Sequence, residues 1–113
     1  MFMPGKPQIW YLDLFAGKND HEAVQRAGES GHKEINRTNL STDQITEGLK
    51  KDVVQKQLAL IRMRNTHKAF SEGAEVAISG RERSLEIRWE YNSAFATLYV
   101  NFESGTYTIV ESR

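Results

Sequence analysis

The 113-residue chain contains no cysteine. Disulfides, thiolate catalysis and Cys-ligated zinc are therefore excluded, and a reducing compartment is allowed. It lacks an excess of charge: 15 Lys plus Arg balance 15 Asp plus Glu. A nucleic-acid binder is expected to carry a basic excess, and a membrane or polyanion binder a charged surface, so neither partner is expected. No apolar run approaches the roughly 18 residues of a membrane span. The start, Met1–Lys6, has no basic segment followed by an apolar stretch, which is what a signal peptide would show. A cytoplasmic setting is the expectation. There is also too little chain for a complete (β/α)₈ barrel, which takes about 250 residues. What remains is length for one modest core of mixed structure.

The block Pro7–Ala16 is almost continuously apolar and aromatic, with Asp13 as its one charge. Pro4-Gly5 precedes it and Gly17-Lys18-Asn19-Asp20 follows, so it reads as a buried strand of the parallel type. Asn19 is placed to cap a short helix over Asp20–Ala27, with Glu22 reaching back as in a capping box. Gly28 ends that helix. The stretch Gly28–Asn39 is polar, with a single Ile, and reads as an exposed loop of the kind that carries function. Ser41-Thr42-Asp43-Gln44 is a second capping box, opening a helix to about Leu49. A longer helix capped by Asp52 runs to about Lys68 and is closed by Ala69-Phe70. Its apolar face is supplied by Val53, Val54, Leu58, Leu60, Ile61 and Met63.

Beyond Gly73 the period becomes two. Leu85, Ile87, Trp89 and Tyr91 alternate with Glu86, Arg88 and Glu90, and Ala96, Leu98, Val100 and Phe102 alternate with Thr97, Tyr99 and Asn101. Tyr107 and Ile109 repeat the pattern, and Glu75–Ser79 reads as one further strand. Asn92-Ser93 and Glu103-Ser104-Gly105 supply the turns. The predicted tail is an antiparallel meander with one dry and one wet face. The fold class is thus α+β.

The motifs of common catalytic sites are missing. His21, His32 and His67 show no metal-ligand spacing, there is no phosphate-cradling glycine loop opening a helix, and there is no Gly-x-Ser-x-Gly elbow. No metal or cofactor is expected. Asp20 and Glu22 sit in a first helical turn, where the dipole alone favours carboxylates. The stretch His32–Arg37 carries more. Arg37 offers a planar fork of donors suited to phosphate or carboxylate, and Asn36 offers a donor and an acceptor for hydroxyls. On residue type alone, Arg37 reads more readily as a solvated loop side chain.

Three segments in order, Pro4–Tyr11, Leu14–Asp20 and Glu34–Arg37, resemble the C-terminal portion of sucrose-phosphorylase-type enzymes of the α-amylase clan, glycoside hydrolase family thirteen. Those enzymes show Pro-Gly-x-Pro-Gln-x-Tyr-Tyr, then Leu-Ala-Gly-x-Asn-Asp, then Ile-Asn-Arg. The likeness extends over essentially the whole chain. It implies the last strand and helix of a (β/α)₈ barrel in residues 1–72 and the start of a β-rich C-terminal domain in 73–113. It implies a retaining phosphorylase, in which a carboxylate takes the glucosyl group and phosphate then accepts it. The family's catalytic carboxylates lie outside these 113 residues, so the chain alone is expected to be inactive. Arg37, with Asn36 beside it, is implied to hold phosphate or the acceptor, and sugar and inorganic phosphate are the implied partners of the longer enzyme. Typical members read Gly-Arg-Asp-Ile-Asn-Arg-His-Tyr-Tyr where this chain reads Gly31-His32-Lys33-Glu34-Ile35-Asn36-Arg37-Thr38-Asn39. That departure resembles relatives acting on glucosylglycerate, and Lys33 suits a charged acceptor. The alternative from another class is a stand-alone structural or interaction module. Separated from its neighbours, the chain is expected to form homo-oligomers through exposed strand edges.

Overall fold

A computed structural model describes the backbone of residues 1–113 and every side chain except that of Ser30. The chain forms two compact units, one of Met1–Pro7 with Leu60–Arg113 and one of Gln8–Ala59.

The first unit is built on a four-stranded antiparallel meander. Its strands are β1 (Glu75–Arg81), β2 (Ser84–Tyr91), β3 (Ala94–Asn101) and β4 (Thr106–Glu111), in sequence order across the sheet. The predicted tail is therefore observed, with β1 two residues longer than Glu75–Ser79. Asn92 takes a left-handed backbone (φ 54°) in the β2–β3 turn, a conformation its short polar side chain tolerates. The register sets Val76, Trp89 and Ala96 in one row and Ile78, Ile87, Leu98 and Ile109 in the next. These rows form the face that carries the core.

Ile87, Trp89 and Ala96 are buried together with Phe2 and Ala69. Phe2 and Phe70 meet edge to face at 5.5 Å, and Phe70 and Trp89 lie 5.4 Å apart, both favourable aromatic geometries. The Trp89 indole N–H donates to the Phe2 carbonyl at 2.5 Å. Arg64 stacks on this cluster, its guanidinium carbon 4.1 Å from the Trp89 ring centre and 4.7 Å from that of Phe70.

Two positions of the meander depart from strict alternation. Phe102 was expected on the dry face, but it is 59% exposed. Strand β3 ends at Asn101, whose Oδ1 accepts the Glu103 and Ser104 N–H groups and so starts the turn one residue early. Thr97 was expected on the wet face and is buried. Arg88 covers that side, donating to the Thr97 hydroxyl at 3.1 Å while lying over the Phe95 ring at 4.4 Å.

The second unit is helical. It contains α1 (Tyr11–Leu14), α2 (His21–Ala27), a 3₁₀ segment over Gly28–Glu34, α3 (Thr42–Leu49) and the first half of α4 (Asp52–Thr66). The strand expected over Pro7–Ala16 is not formed: Trp10 has extended backbone, and a short helix follows it. A strand is stabilised by a ladder, and no neighbouring strand pairs with this block. Its apolar content is instead served by helical burial of Leu12.

Other corrections are local. Asp20 rather than Asn19 caps α2, accepting the Ala23 N–H, so Glu22 closes no capping box. The Ser41–Gln44 box on α3 is present with both bonds. Asp52 lies inside the first turn of α4, where the helix dipole favours its charge, and does not cap it. Helix α4 ends at Thr66, and His67 opens a separate 3₁₀ turn over Lys68–Phe70 by accepting the Ala69 N–H. Val53, expected on the apolar face, is half exposed while Val54 is fully buried.

Candidate functional site

Asn36 and Arg37 follow the 3₁₀ segment, so part of the stretch expected as open loop is regular. Their backbone is fixed from several sides within the helical unit. The Trp10 indole N–H donates to the Asn36 carbonyl at 2.7 Å, and the Tyr11 hydroxyl donates to the Thr38 carbonyl. The Thr38 hydroxyl reaches the Lys18 carbonyl, and the Asp20 N–H donates to the Ile35 carbonyl at 2.7 Å. The Arg37 N–H closes onto the Glu34 carbonyl at 3.2 Å. Each bond ties a polar handle or backbone group of the first twenty residues, or of the turn itself, to residues 34–38. Loops positioned by such a scaffold are the ones able to present a side chain in one direction.

The Arg37 side chain is 57% exposed, and its Nη1 donates to Glu34 Oε1 at 3.0 Å. That single ion pair occupies one of five N–H donors. At this exposure the pair contributes on the order of 0.5 kcal/mol. Arg37 therefore keeps most of its fork available and is held by one weak, exchangeable partner. Glu34 orients the fork, whose remaining planar donors are of the kind that pair with phosphate or carboxylate oxygens. Asn36 is exposed, with its carbonyl engaged by Trp10 and its amide side chain free to turn. Lys33 and His32 are exposed on the same turn.

Sequence reasoning missed the roles of Trp10 and Tyr11, which read as strand core but are 46% and 37% exposed. Their signal was present. A Trp and a Tyr side by side in an apolar run bring a polar tip each, and such tips find partners when partly buried. Lys51 was also missed. Its ammonium donates to the carbonyls of Phe15 and Ala16 at 3.2 and 2.9 Å, closing the C-terminal end of α1. Among the described residues, no three His, Asp or Glu side chains come together as a metal cluster. Among the described residues, no helix is long and apolar enough to cross a membrane.

No family model matches the chain. Individual relatives do. The chain is 49% identical over 109 residues to a sucrose 6(F)-phosphate phosphorylase of Ilumatobacter coccineus, covering 96% of this chain and 21% of that protein. It is 35% identical over 115 residues to a glucosylglycerol phosphorylase of Marinobacter adhaerens, covering 98% of this chain and 23% of the relative. Among solved structures, sucrose 6F-phosphate phosphorylase from Thermoanaerobacter thermosaccharolyticum superposes with a TM-score of 0.88 at 36% identity, over 99% of this chain and 22% of that one. The matched portion of that structure is C-terminal. These likenesses place the chain beside segments of proteins named as phosphorylases. The chain belongs to the sucrose-phosphorylase-type family, and it spans about a fifth of the length of the curated relatives it matches.

Proposed function

We propose that this chain is the acceptor-side portion of a retaining α-glucoside phosphorylase of the α-amylase clan, acting in cytoplasmic carbohydrate metabolism. In the longer enzyme an aspartate attacks the anomeric carbon while an acid carboxyl protonates the departing sugar oxygen, and a phosphate oxygen then displaces the aspartate carboxylate, its proton passing to that same acid carboxyl, now the base, to give α-glucose 1-phosphate. Residues 1–72 belong in this reading to the end of the barrel domain, and 73–113 to the start of the β-rich domain. Arg37 binds phosphate or an anionic acceptor, and Asn36 binds a hydroxyl beside it. No cofactor is required. The observation that carries the reading is the exposed Arg37 fork on a turn anchored by Trp10 and Tyr11. The 49% identical relative is named for a phosphorylated sugar, which favours a phosphate-bearing ligand here over the carboxylate of glucosylglycerate.

The isolated chain is inactive in this reading, because the paired carboxylates that cleave a glycosidic bond lie in the remaining part of the enzyme. Incubating the pure chain with sucrose or sucrose 6F-phosphate and phosphate should release no glucose 1-phosphate; measurable release sinks the reading.

The second reading is a stand-alone interaction module. It is favoured by the exposed apolar side chains Trp10 and Val53 and by the open edges of β1 and β4, through which copies of the chain would self-associate. DNA sequence directly upstream of the Met1 codon separates the two. An in-frame barrel with its carboxylates supports the phosphorylase, and an unrelated gene supports the module.

A further inference from the structure

Strand β1 is one edge of the sheet, and of its seven residues only Val76 is half-buried. Soluble proteins guard such an edge with an inward charge, a proline or a bulge, because its unpaired N–H and C=O groups can template another strand. β1 has none of these guards. Its interior, Val76-Ala77-Ile78-Ser79-Gly80, holds no charge and no proline, and its register against β2 runs unbroken from Glu75 to Arg81.

The two charges of β1 are its end residues, Glu75 and Arg81. Glu75 stands directly opposite Glu90 on β2, a like-charge pair that weakens a ladder, and Arg81 stands opposite Ser84. Arg88 answers Glu90 at 3.0 Å but not Glu75. Among the described residues, neither Glu75 nor Arg81 takes part in an ion pair. The two are equally spaced on either side of Ile78. An antiparallel strand of the same sequence, related by a two-fold axis at Ile78, therefore sets Arg81 of each copy against Glu75 of the other.

The remaining pairs fit the same axis. Ile78 is 49% exposed at the end of the row Ile78, Ile87, Leu98 and Ile109, and it meets its own copy, so the row continues across both sheets. Val76 of one copy faces Gly80 of the other, where the missing side chain leaves room: a Cβ there would have nothing nearer than the Ser84 carbonyl oxygen at 3.9 Å. Ala77 faces Ser79, small against small. A one-residue slip would set residues of opposite faces against each other. Moving the axis to Ala77 or Ser79 removes the match of Glu75 with Arg81. The other edge, β4, has no such complement, since its single charge is Glu111 and a second β4 brings no cation to it.

We propose that β1 is a self-recognition edge. Two copies of the chain pair their β1 strands antiparallel about Ile78, joining two four-stranded sheets into one of eight strands, with a Glu75–Arg81 ion pair at each end of the seam. The contact is isologous, so it consumes both β1 edges and stops at the dimer. The pairing deepens the interaction-module reading, on whose self-association through open edges it rests, by committing that association to β1 and to one register. The phosphorylase reading does not depend on it.

The test is sedimentation equilibrium of the 113-residue chain and of two charge variants. The unaltered chain should form dimers and nothing larger as its concentration rises. Glu75→Arg places arginine against arginine, and Arg81→Glu places glutamate against glutamate. Each variant alone should dimerise about tenfold more weakly or worse, because like charges juxtaposed across a seam oppose association. Mixed in equal amounts, the two variants recreate both ion pairs in a mixed dimer, whose dissociation constant should return to within about threefold of the original. Both positions are exposed, and rescue on mixing cannot come from a variant that fails to fold. A chain that stays monomeric overturns the pairing together with the self-association of the module reading. A dimer that neither variant weakens, variants that mixing does not rescue, or growth beyond the dimer overturns the β1 pairing alone and assigns the association to another surface.

Discussion

Gly31 packs against the carbonyl of Val24, so closely that a Cβ on Gly31 would overlap the carbonyl oxygen. The neighbour is backbone, inside α2, and cannot rotate away. This contact lets the 3₁₀ segment fold back on α2 and deliver Asn36 and Arg37 to the same turn.

Gly31→Ala should therefore disrupt the turn while sparing the sheet. The overlap forces a backbone shift of the kind that costs about 1–3 kcal/mol. Amide exchange should rise across residues 28–38 and stay unchanged in β2 and β3. Uniform protection in the variant would mean that the segment can relax around a methyl group.

Arg37 gives the decisive kinetic prediction in a full-length enzyme that carries this segment. Losing a preorganised donor to a transferring group costs about 2–4 kcal/mol. Arg37→Ala should then slow phosphorolysis by roughly 10²-fold or more and affect glucosyl-enzyme formation less. Arg37→Lys should recover part of the loss, because an ammonium replaces the charge but not the fork. Near-wild-type rates in both would make Arg37 a solvated side chain. Equal loss in both half-reactions would indicate a collapsed turn.

His67 joins two parts of the β-rich unit. Its Nδ1 accepts the Ala69 N–H at 3.2 Å, which leaves the Nε2–H to donate to the Ser112 carbonyl at 2.9 Å. His67→Ala should lower stability by about 1–2 kcal/mol, the sum of a lost cap and a lost hydrogen bond. His67→Asn keeps a good capping side chain and should lose less. Urea unfolding compares the three, and equal midpoints would show that neither bond contributes.

Arg64 sits over Trp89 and Phe70 with its Nη1 buried and, among the described residues, unpartnered, while Nη2 donates to the Gly5 carbonyl at 3.1 Å. Burial lowers its pKa from the ordinary guanidinium value. A base whose folded pKa is lowered stabilises the fold only on losing its proton, so Arg64 adds no pH dependence between roughly pH 5 and 9. Arg64→Ala should cost about 2 kcal/mol through lost stacking and packing. Arg64→Met should cost less, since it fills the space and removes the unpaired donor. Equal losses in Met and Ala would mean that the charge, and not the packing over the rings, matters.

The β-rich unit was legible because its signals are local. Leu85, Ile87 and Trp89 alternate with charges, and Asn92-Ser93 and Gly105 mark turns that need no distant partner to form. The block Pro7–Ala16 was misread for the opposite reason. Its composition permits a strand, but whether a neighbour supplies the ladder is not written in those ten residues. The shift from Asn19 to Asp20 reflects two good caps side by side, which only the packing of the turn on Ile35 decides. Of the candidate site, the donor chemistry of Arg37 and Asn36 was visible in the sequence. The anchoring by Trp10 and Tyr11 spans 26 and 27 residues and was not.

The hydrogen bond from Trp89 to Phe2 closes a separation of 87 residues. The β-rich unit recruits Met1–Pro7 across the whole helical unit that interrupts it in sequence. Long-range closure of this kind comes late and slows folding. On the ribosome, Phe2 must wait, uncovered, until β2 has left the exit tunnel. The sheet can zip hairpin by hairpin from local contacts, whereas the Met1–Pro7 contact is non-local and is expected to form after it.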